Sequence, residues 1–255
     1  MIKIENISKY YRNRPVIENL SSTVEKGKMT AIIGPNGAGK STLLSLISRL
    51  TDSNQGFITV DGQNISDFSS FDFAKKVAVL KQSNTLNLKI NVEDLVSFGR
   101  FPYSKGRLTS EDKQAVEKIL NFTELSDLKK AYLDQLSGGQ AQKVFIAMTM
   151  VQDTDYLLLD EPLNNLDMRH AVQIMQLLRR YIEDYKKTIV IVIHDINFAS
   201  CYADNIIGMK QGKILAQGSV EEVFKKEILT ALYDMPIPIQ TYQGDRISLY
   251  YKAPL

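Results

Sequence analysis

Residues Gly34-Pro35-Asn36-Gly37-Ala38-Gly39-Lys40-Ser41-Thr42 constrain this chain more than any other stretch. They follow the short apolar run Thr30 to Ile33. They precede Leu43, Leu46, Ile47 and Leu50, which fall at i, i+3, i+4 and i+7 on one helix face. The spacing is G-x-x-x-x-G-K-[ST], set between a strand and a helix, which is the context a phosphate-cradling loop requires. Glycine lets the backbone curl so that successive N–H groups point at an anion, and the helix start adds free N–H groups and the positive end of its dipole. Lys40 supplies a point charge for the β- and γ-phosphates, and the Ser41 hydroxyl can ligate Mg²⁺.

The 255 residues suffice for one large α/β domain, or a core with a subdomain. A formal net charge of +2 argues against a broad nucleic-acid footprint. The scattered basic doublets, Lys75-Lys76 and Arg179-Arg180 among them, read as solvated helix faces. The single cysteine, Cys201, suits a reducing compartment and is expected to be a small buried hydrophobe. Met1 to Glu5 alternate as a strand, unlike a signal peptide, and no apolar run reaches the roughly 18 residues of a membrane span. A membrane process served by this chain would therefore need another chain in the membrane.

Strands are expected over 2–7 and 16–24, joined by Lys9 to Pro15, and again over 57–60 and 76–80. From about residue 89 to 152 the pattern turns helical. Thr109 to Asp112 start one helix, with Ala115, Val116, Ile119 and Leu120 as its stripe; Val144, Ala147, Met148 and Val151 mark a second. Strands return at Tyr156 to Leu159 and Thr188 to Ile193, with a helix between them through Val172, Met175, Leu178 and Ile182. Continuous apolar strands joined by helices indicate a parallel sheet covered on both faces. The helical block reads as an insertion into that core, and one terminal strand is expected at Ile247 to Tyr251.

Two further stretches narrow the chemistry. Ser137 and Gln140 in Leu136-Ser137-Gly138-Gly139-Gln140 form an S-x-x-Q capping box. Capping does not need Gly138 and Gly139, which carry a helix penalty of about 1 kcal/mol each relative to alanine. A helix start with two side-chain-free residues can approach a phosphate closely, so this is read as a second phosphate-binding element. Tyr156 to Asp160-Glu161 is an apolar run ending in two carboxylates, which places both acids at the C-terminal edge of a buried strand. Asp160 can hold Mg²⁺ through water, and Glu161 can accept a proton from an attacking water. His194 ends the next strand at the same edge, which favours a γ-phosphate contact.

Together these motifs resemble the nucleotide-binding subunit of ATP-binding cassette (ABC) transporters over nearly the whole chain. Lys40 and Ser41 match the Walker A residues, Asp160 and Glu161 the Walker B pair, and Leu136 to Gln140 the family's signature motif. Gln82 matches the Q-loop glutamine, Asp167 the D-loop and His194 the switch histidine; Tyr11 aligns with the adenine-stacking aromatic, with Tyr10 as the competing choice. Leu163 and Lys143 depart from the family pattern at positions expected to affect subunit contacts. The resemblance implies a RecA-like P-loop NTPase core with a small antiparallel β subdomain, over about 1–88 and 153–255, and a helical subdomain over about 89–152. It also implies ATP and Mg²⁺, the latter held by Ser41, Gln82 and Asp160.

Further implications concern partners. Ser137 and Gly139 of one copy would close on the γ-phosphate held by Lys40 of a second, in a head-to-tail pair. The apolar stretch containing Leu86, Leu88, Ile90, Val92, Leu95, Val96, Phe98, Phe101 and Tyr103 would be mostly core, with some residues receiving a helix from a permease at the cytoplasmic face of the membrane. An external binding protein would act only through that permease. Val92 to Pro102, His194 to Ala199 and Tyr202 to Asp204 are similar to the ATPases of ferric-siderophore, haem and cobalamin importers, with iron chelates the first choice. A non-transport ABC ATPase is the alternative, although no heptad run suggests the coiled coils of chromosome-maintenance relatives. A P-loop kinase would leave 136–140 unexplained.

Overall fold

The computed structural model describes residues 1–12, 14–82 and 89–251, in two compact units: 1–67 with 188–255, and 68–187. In the first unit β1 (Ile2–Tyr11) pairs antiparallel with β2 (Arg14–Val24) and with β4 (Gln55–Val60), which pairs with β5 (Gln63–Asn64). Ile2, Ile4 and Ile7 are buried, as the alternation requires. Both hairpin strands run further than expected, to a Tyr11–Arg14 pair beside Arg12 at φ 49°. Register shifts between Ile4 and Tyr10 break the burial rhythm while the strands stay paired, so periodicity stops before the strand does.

A second sheet of the same unit carries the phosphate loop. β3 (Met29–Ile33) lies parallel to β8 (Thr188–Val192) on one side and β9 (Asn205–Lys210) on the other, and β10 (Lys213–Ser219) pairs antiparallel with β9. All five residues of β3 and of β8 are buried, as continuous apolar strands demand. α1 (Lys40–Ile47) follows β3, and α8 (Ile196–Tyr202) follows β8. Cys201, on α8, is exposed, contrary to expectation. Short α9 (Val220–Val223) and α10 (Lys226–Tyr233) lead to a hairpin of β11 (Ile239–Tyr242) and β12 (Asp245–Ser248). The terminal strand thus ends at Ser248 and starts earlier than expected. Gln243 and Gly244 both have positive φ, the requirement of a two-residue type I′ turn, and that turn sets the register. Asn197 Oδ1 then accepts from Ser248 N and Oγ, tying the hairpin to α8.

The second unit contains the parallel pair β6 (Val77–Leu80) and β7 (Tyr156–Asp160), with α2 (Ser70–Ala74), α3 (Val92–Ser97), α4 (Phe101–Ser104), α5 (Ser110–Phe122), α6 (Gly138–Met150) and α7 (Met168–Tyr185). Thr109 caps α5 in a reciprocal box with Asp112, as the spacing predicts. The α7 stripe is buried at Ile174, Met175, Leu178 and Ile182. No helix among the described residues is long and apolar enough to cross a membrane.

Asp112 also receives Arg100 Nε at 2.8 Å, and the two side chains are 4% and 11% exposed. Burial pushes the Asp112 carboxyl up, but hydrogen bonds from Thr109 and Arg100 outweigh it and hold the group below its ordinary value. Its stabilising contribution is therefore complete above the ordinary 3.8 and is lost as the pH falls through the lower folded value. Asp112→Ala is expected to cost about 3 kcal/mol at neutral pH by stranding the Arg100 charge. Urea unfolding should show the deficit shrinking in acid.

Candidate functional site

The phosphate loop begins where β3 ends. Gly34 has φ +143°, and a Cβ there would lie 2.0 Å from the Met209 carbonyl oxygen of β9, so the position admits only glycine. Gly39 is the N-cap of α1 at φ 98° and makes no side-chain cap, and α1 has no acidic residue in its first turn. The N–H groups at this helix start therefore have neither a capping side chain nor a carboxylate from the helix's own first turn, an arrangement suited to an anion. Lys40 opens α1, is 5% exposed, and donates from Nζ to Gly34 O at 2.9 Å and Pro35 O at 3.0 Å. The buried ammonium is thus held over the loop by carbonyls, with Asn36 and Gly37 exposed beside Pro35 and buried Ala38. Ser41 and Thr42 follow on α1. β8 runs parallel to β3, and Ile193 N donates to Ile32 O at 3.2 Å, so His194 leaves the same sheet edge as the loop, exposed. Tyr11 lies at the hairpin end, 49% exposed with Lys9 Nζ 5.2 Å from its ring centre, and Tyr10 is 37% exposed.

In the second unit the register Leu80–Leu159 brings the ends of β6 and β7 together. Gln82 and Glu161 therefore meet, and Gln82 Nε2 donates to Glu161 Oε2 at 2.5 Å. Asp160 and Glu161 are 8% and 9% exposed, and Glu161 has φ 51°. Asn164 Nδ2 donates to the same Oε2, and Gln142 Nε2 of α6 donates to Pro162 O at 2.9 Å. Asn164 and Gln142 are absent from the sequence-derived site. Asn164 sits inside the D-loop match, where only Asp167 carries a family role, and Gln142 has no local signal.

Ser137 caps α6. Its Oγ accepts from Gln140 N at 3.3 Å, and Gln140 Oε1 accepts from Ser137 N at 2.9 Å, completing the expected box. The two glycines divide. A Cβ on Gly139 would fall 2.2 Å from the His170 ring, whereas one on Gly138 would meet nothing within 4 Å. Packing within the chain thus accounts for Gly139, and Gly138 has an open approach. Asp167 caps α7, accepting from His170 N at 2.9 Å and pairing with His170 Nδ1 at 2.8 Å. Those bonds, the backbone one first, hold its carboxyl below the ordinary value.

Among the described residues no group of three or more His, Cys, Asp or Glu could hold a metal ion. A divalent cation would need oxygen ligands from a bound phosphate besides protein groups; the first unit offers the hard oxygen donor Ser41, and the second unit offers Gln82 and Asp160.

A separate groove of about 630 Å³ is lined by Lys89, Ile90, Phe98, Phe101, Leu108 and Tyr132 among others. Phe98 and Phe101 are 59% and 55% exposed, while Val92, Leu95 and Val96 are core. Leu86 and Leu88 lie outside the described residues.

The family profile described as "ABC transporter" matches residues 17–164. The chain is similar to the petrobactin import ATP-binding protein YclP of Bacillus subtilis (strain 168), 54% identical over 98% of this chain and 100% of that one. It is also similar to the petrobactin import ATP-binding protein FatE of Bacillus anthracis, 48% identical over 94% and 96%. Among solved structures it resembles MJ0796, a bacterial ABC transporter cassette in a dimeric structure, with TM-score 0.76 and 30% identity over 86% of this chain and 99% of that one.

The glycine pair generates a stability test. Gly138→Ala is expected to leave the melting temperature unchanged or slightly raised, because alanine favours the helix. Gly139→Ala should lower stability by about 1–3 kcal/mol as His170 is displaced. Thermal unfolding of the two variants checks the asymmetry.

Proposed function

The chain belongs to the ABC transporter family, and from that premise we propose that it is the ATP-hydrolysing subunit that powers a ferric-siderophore importer. The observation that carries the hydrolytic part is Glu161, a 9%-exposed carboxylate at a strand end with two side-chain amides on one oxygen. The siderophore part is supported by the relatives' names and by their near-complete coverage.

In this reading the loop N–H groups and Lys40 bind the β- and γ-phosphates, and Tyr11 stacks on adenine, a contact that tolerates any base. Ser41, Gln82 and Asp160 would hold Mg²⁺, which supplies charge neutralisation on the phosphate oxygens. Glu161 accepts the proton of the attacking water. His194 donates to the γ-phosphate as charge builds there. Asp167 and the α6 helix start, Ser137 to Gln140, serve the nucleotide of a second copy. The open approach at Gly138 supports that assignment, as does Met168 beside Asp167, which is 85% exposed. Hydrolysis removes the group that holds the two copies together, so binding energy becomes motion.

The apolar groove with Phe98 and Phe101 is assigned to a helix of the membrane permease, which sets the subunit on the cytoplasmic face of the membrane. An external binding protein selects the siderophore and acts through the permease alone.

Glu161→Gln is expected to lower turnover at least 100-fold while ATP still binds and a dimer accumulates on sizing; native turnover would overturn the base assignment. In cells lacking the native subunit, the wild-type chain should restore ferric-siderophore uptake. Phe101→Asp should reduce that uptake at least tenfold while the variant accumulates to the same level, and undiminished uptake would refute the groove's role.

A further inference from the structure

We infer that Asn164 is a positioning residue for hydrolysis: its side-chain amide fixes the Glu161 carboxylate in the orientation from which it takes the proton of the attacking water. The inference rests on the reading of Glu161 as the base. In that step the water oxygen bonds to the γ-phosphorus and its proton passes to Glu161. The bridging P–O bond breaks with its electron pair leaving on the β-phosphate oxygen.

The geometry of the turn after β7 carries the argument. Glutamate has three side-chain torsions, and leaving them loose costs a base the alignment that proton transfer needs. Here the restraint is built in. Asn164 Nδ2 donates to Glu161 Oε2, and Asn164 N donates to Glu161 O at 3.2 Å, so main chain and side chain close the same four-residue turn. Gln142 of α6 holds that turn from outside through Pro162 O, at 2.9 Å. Glu161 itself sits at φ 51°, a backbone state that turns its side chain out of the strand direction and persists only where surroundings enforce it.

Gln82 also donates to Oε2. It is also assigned to the metal through its amide oxygen, so that side chain serves two partners. Asn164 carries no such assignment, and both its backbone and its side chain return to Glu161. The amide is also the right chemistry: aspartate at 164 would set a second negative charge against Glu161 and repel it.

Asn164 is exposed, so truncation leaves the core intact. Steady-state ATPase measurements on the full chain are expected to show Asn164→Ala lowering kcat 10- to 100-fold, with KM for ATP within twofold and an unchanged melting temperature. Asn164→Asp should be at least as slow, and Asn164→Gln, which keeps the donor, should recover part of the loss. In a Glu161→Gln background Asn164→Ala should have no further effect on the residual rate. Four results would overturn the inference: native kcat in Asn164→Ala, a parallel loss of kcat, KM and melting temperature, no recovery in Asn164→Gln, or an equal further loss in the Glu161→Gln background. Native turnover in Glu161→Gln alone would instead sink the base reading, and the two failures are told apart by that single variant.

Discussion

Crowding between Gly34 and the carbonyl of Met209 governs where the phosphate loop leaves the sheet. β3 is flanked by β8 and β9 and is buried along its whole length, so the chain can turn only at its end. With no Cβ at Gly34 the backbone passes against β9 and reverses into α1, which delivers Lys40 over the carbonyls of Gly34 and Pro35. The parallel neighbour β8 brings His194 out at the same edge. The bare backbone at Gly34 thus positions the buried cation and the helix-start N–H groups, and strand pairing brings the imidazole to the same edge.

The helix start at Ser137 shows how one residue serves two purposes. The reciprocal box with Gln140 satisfies donors that would otherwise be orphaned, which keeps the first turn of α6 in place. The same arrangement leaves the Ser137–Gly138 corner exposed. Gly139 faces inward against His170, and His170 pairs with Asp167. The signature segment and the D-loop of one chain are therefore packed against each other through a histidine that no motif contains.

Much of this was legible in the residues. Strands buried on both faces announce themselves as unbroken apolar runs, which is why β3, β7 and β8 fall where the pattern puts them. The capping boxes at Thr109 and Ser137 are local, so spacing suffices for them. The hairpin of β1 and β2 was harder because its tip is polar and bulged, and pairing there leaves no periodicity. Cys201 misled because an unpaired cysteine is ordinarily a buried residue, while this one faces outward. The amide contact between Gln82 and Glu161 joins residues 79 positions apart, and nothing in local spacing encodes it. Asn164 was hidden for another reason: it lies within a recognised motif, and the motif directs attention to Asp167.

The left-handed backbone at Glu161 has a cost that reaches beyond chemistry. A side-chain-bearing residue in that conformation gives up about 1 kcal/mol, which glycine would recover. What offsets that cost is local: the carboxylate takes side-chain amide donors from Gln82 and Asn164, and a glycine at this position would leave both without it.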